Sequence, residues 1–374
     1  FADRALWGKD PAGPRAVNLA LHAANALLLW RILVRLAPSA ALGGALLWAL
    51  HPVHSEVVQC VAFRNSLLLG FGVLGGTLAW LRGRPTLALA GWIVALLSKE
   101  AALAFPAVLI CLQRQGWRVW RWWVPPFLLY IWWWGGSVPR VRAAVVGGPF
   151  AVTWTDLCTA LSVLPRAAEL IAAPWRLAID HQVLVRSSAA DPSVLAGAAL
   201  VAGALWCAVR WWQYRPLAAA GLVWALAFYL PAWPLLPMGF HPLAERFLYL
   251  PLAGLVMVGA AFWDARVRLP GVSRRWALAA LVLASGYAIR VMDRLADWTD
   301  GEALYSSNIR RYPGGGLSRY YLGASLQAGA RWAEAVEQYR LAVRTWPGIG
   351  KAWLGLGMCL VKTGRPEDAA RALR

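Results

Sequence analysis

Long apolar stretches, separated by short clusters of arginine, constrain this chain more than any other feature. A bilayer core of about 30 Å is crossed by about 20 helical residues, and a soluble helix has no need of so long an uncharged run. Ten stretches qualify as candidate spans, near residues 16–35, 38–51, 66–81, 86–98, 101–113, 120–136, 193–209, 216–230, 246–263 and 276–292. The pair within 86–113 reads equally as two spans or as one broken helix. With 60% of residues apolar and 15% charged, a single water-soluble globule is excluded.

The formal net charge of +19 would suit a nucleic-acid partner if it were spread over one face, but the arginines fall between the apolar runs. Arg31 and Arg35, Arg82 and Arg84, Arg114, Arg118 and Arg121, Arg210 and Arg215, and Arg266, Arg268, Arg274 and Arg275 occupy alternate loops. The positive-inside rule makes those loops cytoplasmic and leaves no role for nucleic acid. The other side receives the loop His51–Ser66, the segment 137–191, the loop 231–245 and everything after about residue 293. Thr155–Ala173, with Asp156, Arg166 and Glu169, reads as an interfacial helix rather than a span. The 25 tryptophans suit interfacial anchoring, although Trp132, Trp133 and Trp134 read equally as packing residues. Cys60, Cys111, Cys158, Cys207 and Cys359 form no C-x-x-C pair, so neither a zinc knuckle nor a disulfide framework is encoded. The sequence opens at Phe1 without a signal peptide and stops inside a repeat, and is expected to be a fragment.

After Asp293 the composition changes. Pro313 and Pro347, Leu322 and Leu356, Gly323 and Gly357, Leu326 and Leu360, and Ala335 and Ala369 are each 34 residues apart, as are Tyr305 and Tyr339. That is the tetratricopeptide period, with small and apolar residues where two antiparallel helices interdigitate. Asp297–Pro313 then reads as the second helix of a degenerate first repeat, and the last repeat as incomplete.

Four polar motifs interrupt the apolar background. His51-Pro52-Val53-His54-Ser55-Glu56 opens an external segment reaching Arg64, with Pro52 suited to a helix start. One reading makes it an active-site edge, Glu56 a base or acceptor and Arg64 an anion contact; the other makes it a solvated loop. A zinc site from His51, His54 and Glu56 lacks the H-E-x-x-H spacing and a further ligand, so no metal is assigned. Ser98-Lys99-Glu100 places an ionisable pair at membrane depth, which marks either a functional cavity or a cap between two helices. Lys99 as a point charge suits a lipid phosphate. In Ala244-Glu245-Arg246-Phe247-Leu248-Tyr249, Arg246 sits on the external side against the positive-inside trend. It is placed to bind phosphate with the Tyr249 hydroxyl one turn on, or to pair with a carboxylate such as Glu245. Asp180-His181 reads as an acceptor-orienting pair or a solvated loop. No glycine-rich phosphate loop and no Ser-His-Asp spacing is present, which disfavours soluble nucleotide chemistry.

The order HPVHSEVV, Arg64, LLSKEAALAFP, AERFLYLP and then tetratricopeptide repeats resembles the membrane glycosyltransferases of the GT-C superfamily that carry C-terminal tetratricopeptide repeats, relatives of protein O-mannosyltransferases. The likeness covers nearly the whole chain, and Asn18 and His22 match the family's segment leading into its second span. The resemblance implies a polyprenyl-phosphate sugar donor, with mannose one candidate, and transfer on the outer face to a protein or glycan hydroxyl. It implies catalytic roles for Glu56 and His54, and donor or substrate contacts for Arg64, Lys99, Glu245, Arg246, Tyr249 and, more loosely, Asp180. It puts the acidic base that deprotonates the acceptor upstream of Asn18, and neither Asp3 nor Asp10 matches it. The donor is a substrate, and no cofactor is implied.

The expectation is an all-α chain: a polytopic, GT-C-like transmembrane bundle over 1–292 followed by a tetratricopeptide solenoid over 293–374. It is expected to be a lipid-phosphate-sugar-dependent glycosyltransferase whose repeats bind acceptor or partner. High alanine, arginine and tryptophan content suggests a bacterial inner membrane with periplasmic repeats. A non-enzymatic membrane scaffold that recruits a partner through its repeats is the rival, and a transporter is a weaker third because the membrane part shows no internal repeat.

Overall fold

A computed structural model describes residues 6–8, 10–112, 121–133, 136, 153–230, 243–267 and 273–373. Helices dominate, and no strand occurs among the described residues. The chain divides into two compact units, one of residues 1–174 and 185–291, the other of residues 175–184 and 292–374.

The first unit holds α1 (Ala12–Leu36), α2 (Ala41–Ala49), the short α3 (Ser55–Gln59), α4 (Arg64–Leu81), α5 (Pro85–Ser98) and α6 (Phe105–Leu112). It continues with α7 (Val124–Trp133), α8 (Trp154–Ser162), α9 (Leu164–Ala172), α10 (Pro192–Trp211), α11 (Pro216–Tyr229), α12 (Tyr249–Val267) and most of α13 (Ser273–Leu295). Every one of the ten expected spans coincides with a helix. Four stretches, Ala12–Leu36, Val61–Leu81, Pro192–Trp211 and Glu245–Arg266, are long and apolar enough to cross a membrane. Pro38–Ala49, Pro85–Ser98, Glu100–Leu112, Val124–Trp133 and Pro216–Tyr229 are apolar but shorter.

The ambiguity within 86–113 resolves as two helices. Helix α5 stops at Ser98, Lys99 is fully extended (φ −163°, ψ 145°), and a 3-10 turn over Glu100–Ala104 leads into α6. The Trp92 indole donates to the Ala102 carbonyl at 2.7 Å, so a carbonyl of the break is satisfied from within the unit. The expected interfacial helix is likewise two helices. Pro165 stands at the start of α9, where its missing N–H is harmless, and it ends α8 at Ser162. Thr153 and Asp156 close a reciprocal capping box on α8.

Close helix pairs are built on glycine, because apolar burial does not drive helices together in lipid. A Cβ on Gly72 of α4 would lie 2.4 Å from the Gly91 carbonyl oxygen of α5, and one on Gly221 of α11 would lie 2.5 Å from the Gly254 oxygen of α12. The tryptophans fall into two sets. Trp48, Trp80, Trp92 and Trp224 are fully buried, and Trp48 and Trp224 pin the Tyr249 and Leu250 carbonyls. Trp132 and Trp133 are exposed, although the Trp133 ring lies against that of Tyr130 at 5.8 Å; Trp134 lies outside the described residues.

The second unit holds α14 (Gly301–Arg311), α15 (Gly316–Ala328), α16 (Trp332–Thr345), α17 (Gly350–Lys362) and α18 (Pro366–Ala372), each packed on the next. Asp300 caps α14 by accepting from the Ala303 N–H at 2.8 Å, so this helix starts later than Asp297, and a 3-10 turn covers Ala296–Trp298. The repeat is visible in its contacts. A Cβ on Gly323 would lie 2.9 Å from the Tyr339 ring and one on Gly357 would lie 2.7 Å from Leu373, the same pairing one period on. Residues 175–184 lie along this unit as a strap.

Candidate functional site

The loop after α2 is a chain of short turns, each with a cause in the sequence. His51 accepts the Val53 N–H on Nδ1, Pro52 opens a 3-10 turn, and α3 ends at Cys60, whose backbone is extended. Asn18 of α1 stabilises that break by donating to the Val58 and Cys60 carbonyls at 3.2 and 3.4 Å. Its Oδ1 accepts from Arg64 Nε at 2.8 Å, and Arg64 Nη2 donates to the Pro14 carbonyl.

This shaping carries Glu56 into the unit, with no exposed surface. There it meets Arg246, 190 residues away, in the 3-10 turn Glu245–Leu248 that leads into α12. Arg246 Nη1 donates to Oε1 at 2.5 Å, and the Arg246 backbone N–H donates to Oε2 at 2.7 Å. Both carboxylate oxygens are thus held by one residue. The guanidinium carbon lies 4.2 Å from the Phe63 ring centroid and 4.9 Å from that of Phe247. Lys99, at the break between α5 and α6, sets Nζ 5.2 Å from the same Phe247 ring. It also interacts electrostatically with Glu100, Arg246 and Glu56. The three motifs singled out in the sequence therefore converge on one place.

Two cations at this place keep unused donors. Among the described residues, Arg246 Nε and Nη2 meet no hydrogen-bond acceptor, and neither does Lys99 Nζ. Glu245 is fully buried, and its carboxylate acts on both Glu56 and His51. Burial pushes the Glu56 carboxyl up from its ordinary value and Glu245 adds to this, while the Arg246 guanidinium opposes both. Burial holds His51 down to about 4; its Nε2–H donates to the Ile171 carbonyl at 2.9 Å, so the neutral ring is satisfied at both nitrogens.

The remaining expected site residues occupy other positions. The Tyr249 hydroxyl is buried between His22 Nδ1, which accepts from it at 2.9 Å, and Asn25 Nδ2, which donates to it at 3.0 Å. Its one proton is thus engaged within the core by His22. His54 is buried among the rings of Trp48, Tyr249 and His22, and burial, followed by the charges of His22 and His51, keeps it well below its ordinary value. Arg64 ties the start of α4 to α1. Asp180 belongs to the second unit, where its backbone carbonyl accepts from Asn308 Nδ2 at 3.0 Å and its carboxylate accepts from the Ser318 hydroxyl at 3.2 Å. The expected pair of Arg246 with its neighbour Glu245 gives way to the pair with Glu56. Phe247 lies within the Ala244–Tyr249 motif but had no role assigned to it there, and Phe63, Asn25 and Asn308 carry no motif of their own; the places of all four are legible only in three dimensions.

A buried carboxylate–guanidinium pair beside a lysine thus lies in an all-helical unit with helices long and apolar enough to cross a membrane, in a chain that ends in helix hairpins of 34-residue period. Comparison with known proteins gives the kinship. Protein O-mannosyl-transferase TMTC4 of Mus musculus is 26% identical over 413 aligned residues, covering 89% of this chain and 55% of the mouse protein. Drosophila melanogaster Protein O-mannosyl-transferase Tmtc1 is 33% identical over 150 residues, 39% of this chain and 17% of the fly protein. Drosophila Tmtc2 is 32% identical over 136 residues, 35% of this chain and 14% of its own. The chain spans about half the length of the mouse relative and a smaller share of the fly proteins. No family model and no solved structure matches it. The chain is related to the transmembrane and tetratricopeptide-repeat O-mannosyl-transferases, as its motifs suggested.

Proposed function

We propose that this chain forms the membrane part and the first repeats of a glycosyltransferase that moves a sugar, mannose by its relatives' names, from a polyprenyl phosphate to a protein or glycan hydroxyl. One observation carries the reading: Glu56 fixes one edge of Arg246 while Nε and Nη2 meet no acceptor among the described residues, with the Lys99 ammonium near the same aromatic ring. In the transfer the acceptor oxygen attacks the sugar C1, the C1–O bond to phosphate breaks, and the bonding pair stays on the phosphate oxygen. The leaving phosphate gains a negative charge, and fixed cations that meet that charge lower the barrier. Glu56, with both oxygens occupied, orients Arg246 and does not take the acceptor proton; a carboxylate upstream of Asn18 fills that role.

Sidedness is supported by how contacts sort within the first unit. The loop 51–66 and Glu245, both assigned to the outer face, gather at the site with Lys99 of the break between α5 and α6 and with Arg246 at the start of its span. Residues from the other loops meet one another, with the Ser39 hydroxyl donating to Asp264 at 2.7 Å and Arg215 stacked on Phe262. An apolar groove of about 620 Å³ between α2, α12 and α13 suits a lipid tail. In the second unit a groove of about 550 Å³, lined by Tyr320, Gln327, Trp332, Tyr339 and Lys351, suits an acceptor segment.

The test is transfer of label from radiolabelled polyprenyl-phosphate sugars to exported protein by the full-length protein in nanodiscs. Lys99→Met is expected to lower turnover about a hundredfold or more with the fold intact, because the Lys99 ammonium makes no hydrogen bond or salt bridge among the described residues. Absence of transfer from every donor, with the repeats still retaining a partner, would favour a membrane scaffold.

A further inference from the structure

Lys99 and Arg246 are like charges in a partly desolvated place, and nothing in the backbone obliges them to act together. Lys99 rises from a helix break and Arg246 from a 3-10 turn almost 150 residues later. What they share is one side chain. The Phe247 ring has the Arg246 guanidinium carbon 4.9 Å and the Lys99 ammonium 5.2 Å from its centroid, both within the range of a cation–π attraction. Phe63 is different, since it stacks on Arg246 alone at 4.2 Å. Glu56 pairs with Arg246 directly, whereas Lys99 makes no salt bridge among the described residues and feels the Glu100 and Glu56 carboxylates at longer range. Among the described residues the π face of Phe247 lies against both cations and consumes a hydrogen-bond donor of neither.

We propose that Phe247 is a positioning residue that yokes Lys99 and Arg246 into a single phosphate-binding unit. The inference rests on the donor-phosphate reading above and adds the residue that makes two cations one site. A carboxylate in this position would neutralise the pair and compete with the phosphate. An aliphatic side chain would leave Lys99 free to swing away from its like-charged neighbour. An aromatic ring holds both and leaves their N–H groups to the ligand, so the site binds best a group that bridges the two.

The test measures binding rather than turnover, with the full-length protein in nanodiscs, farnesyl phosphate as probe and farnesol as its uncharged counterpart. Phe247→Leu is expected to weaken farnesyl phosphate by about fivefold to thirtyfold and to leave farnesol unchanged. Phe247→Tyr should restore the affinity to within about twofold, since it keeps the ring. The decisive comparison is a double-mutant cycle: Lys99→Met should cost less in the Phe247→Leu background than in the wild type, and its full cost in the Phe63→Leu background. Should Phe247→Leu lose the fold, replacing Phe247 by mono-, di- and trifluorinated phenylalanine drains the ring face while keeping its shape, and affinity should fall with each fluorine. Unchanged farnesyl phosphate affinity across that series, or a Lys99→Met cost equal in all backgrounds, overturns the role of Phe247 while the donor site stands. A wild-type protein that binds farnesyl phosphate no better than farnesol overturns the donor site itself, and Phe247 with it.

Discussion

The charge cluster of the first unit and the surface of the hairpins in the second handle charge differently. In the first, the Glu56–Arg246 pair joins residues 190 apart, with side chains 0% and 12% exposed. In the second, Arg331 bridges Glu302 and Glu334 with all three side chains more than 40% exposed, and Arg340–Glu337 and Arg365–Asp368 are pairs three residues apart on the surface. Exposed local pairs contribute little, because water competes for both partners. A buried pair is different: desolvation nearly cancels the attraction, so the pair is retained for what it positions, and removing one partner leaves a costly orphan. The charge cluster of the first unit is therefore a long-range link, whereas the pairs on the hairpins of the second unit are mostly exposed; Asp297, shared by the buried Arg294 and by Arg311, is the exception there, and the local pair Arg166–Glu169 is one in the first unit.

The largest effect that would break this contrast is at Arg246. Arg246→Met leaves Glu56 buried without its cation and should destabilise the first unit by about 3–5 kcal/mol, read as a fall in the thermal midpoint in nanodiscs. Glu56→Gln combined with Arg246→Met should recover much of that stability while phosphate binding stays lost. A double variant as unstable as Arg246→Met would mean that the pair holds the fold together by its attraction. The strap gives the next largest effect. Asn308 donates to the Asp180 carbonyl and to the Ser318 hydroxyl from a fully buried position, so Asn308→Ala orphans two acceptors and should cost about 1–3 kcal/mol. Protease cleavage near residues 175–184 should rise with it. No change there would show that the strap is held by other contacts.

Acidification sharpens the contrast further. His51 is neutral in the fold, with its affinity for a proton held down to about 4 against 6.5 in the unfolded chain. Between those values the unfolded state binds a proton that the folded state refuses. Stability is full above pH 6.5 and is lost as the pH falls toward 4, by up to about 1.4 kcal/mol per pH unit. A proton on Nδ1 would also break the bond from the Val53 N–H. His51→Gln should reduce the slope of thermal midpoint against pH, with the remainder set by the other buried groups of shifted proton affinity, His54 and Glu56 among them. An undiminished slope would remove His51 from the account.

The helices and the repeat were legible because they are local properties: an apolar run, or a 34-residue period, is written within a short window. The three motifs were legible as unusual polar groups in an apolar setting. Their pairing was not. A single sequence names Glu56, Glu245 and Arg246 without saying which carboxylate meets the guanidinium, and the near neighbour Glu245 was the obvious partner. Chain breaks decide it, since Cys60 and Ala244 are both extended and turn Glu56 and Arg246 toward each other. Tyr249 failed as a ligand group for a similar reason. It lies one turn beyond Arg246, but its hydroxyl is taken by His22 and Asn25, more than 220 residues earlier. Asp180 looked like a loop carboxylate because its partners, Asn308 and Ser318, stand over 120 residues away.

The smallest effect tests the claim that the repeats are locally stabilised. Ala330 adopts a left-handed backbone (φ 57°), and the equivalent position one period later is Gly364 (φ 73°). The same turn thus closes each helix hairpin, with a glycine in one repeat and an alanine in the other. An L residue with a side chain loses about 1–2 kcal/mol in that conformation, while glycine loses more freedom on folding, about 0.5–1 kcal/mol. The two terms leave a net gain of roughly 0.5–1 kcal/mol for Ala330→Gly, and Gly364→Ala should lose about as much. Hydrogen exchange of α15 and α16 reads the first change and that of α17 and α18 the second. Because each turn stabilises its own hairpin, the protection gained should stay within the second unit and leave the farnesyl phosphate affinity of the first unit unchanged. A shift in that affinity on Ala330→Gly would show that the repeats and the charge cluster are energetically coupled.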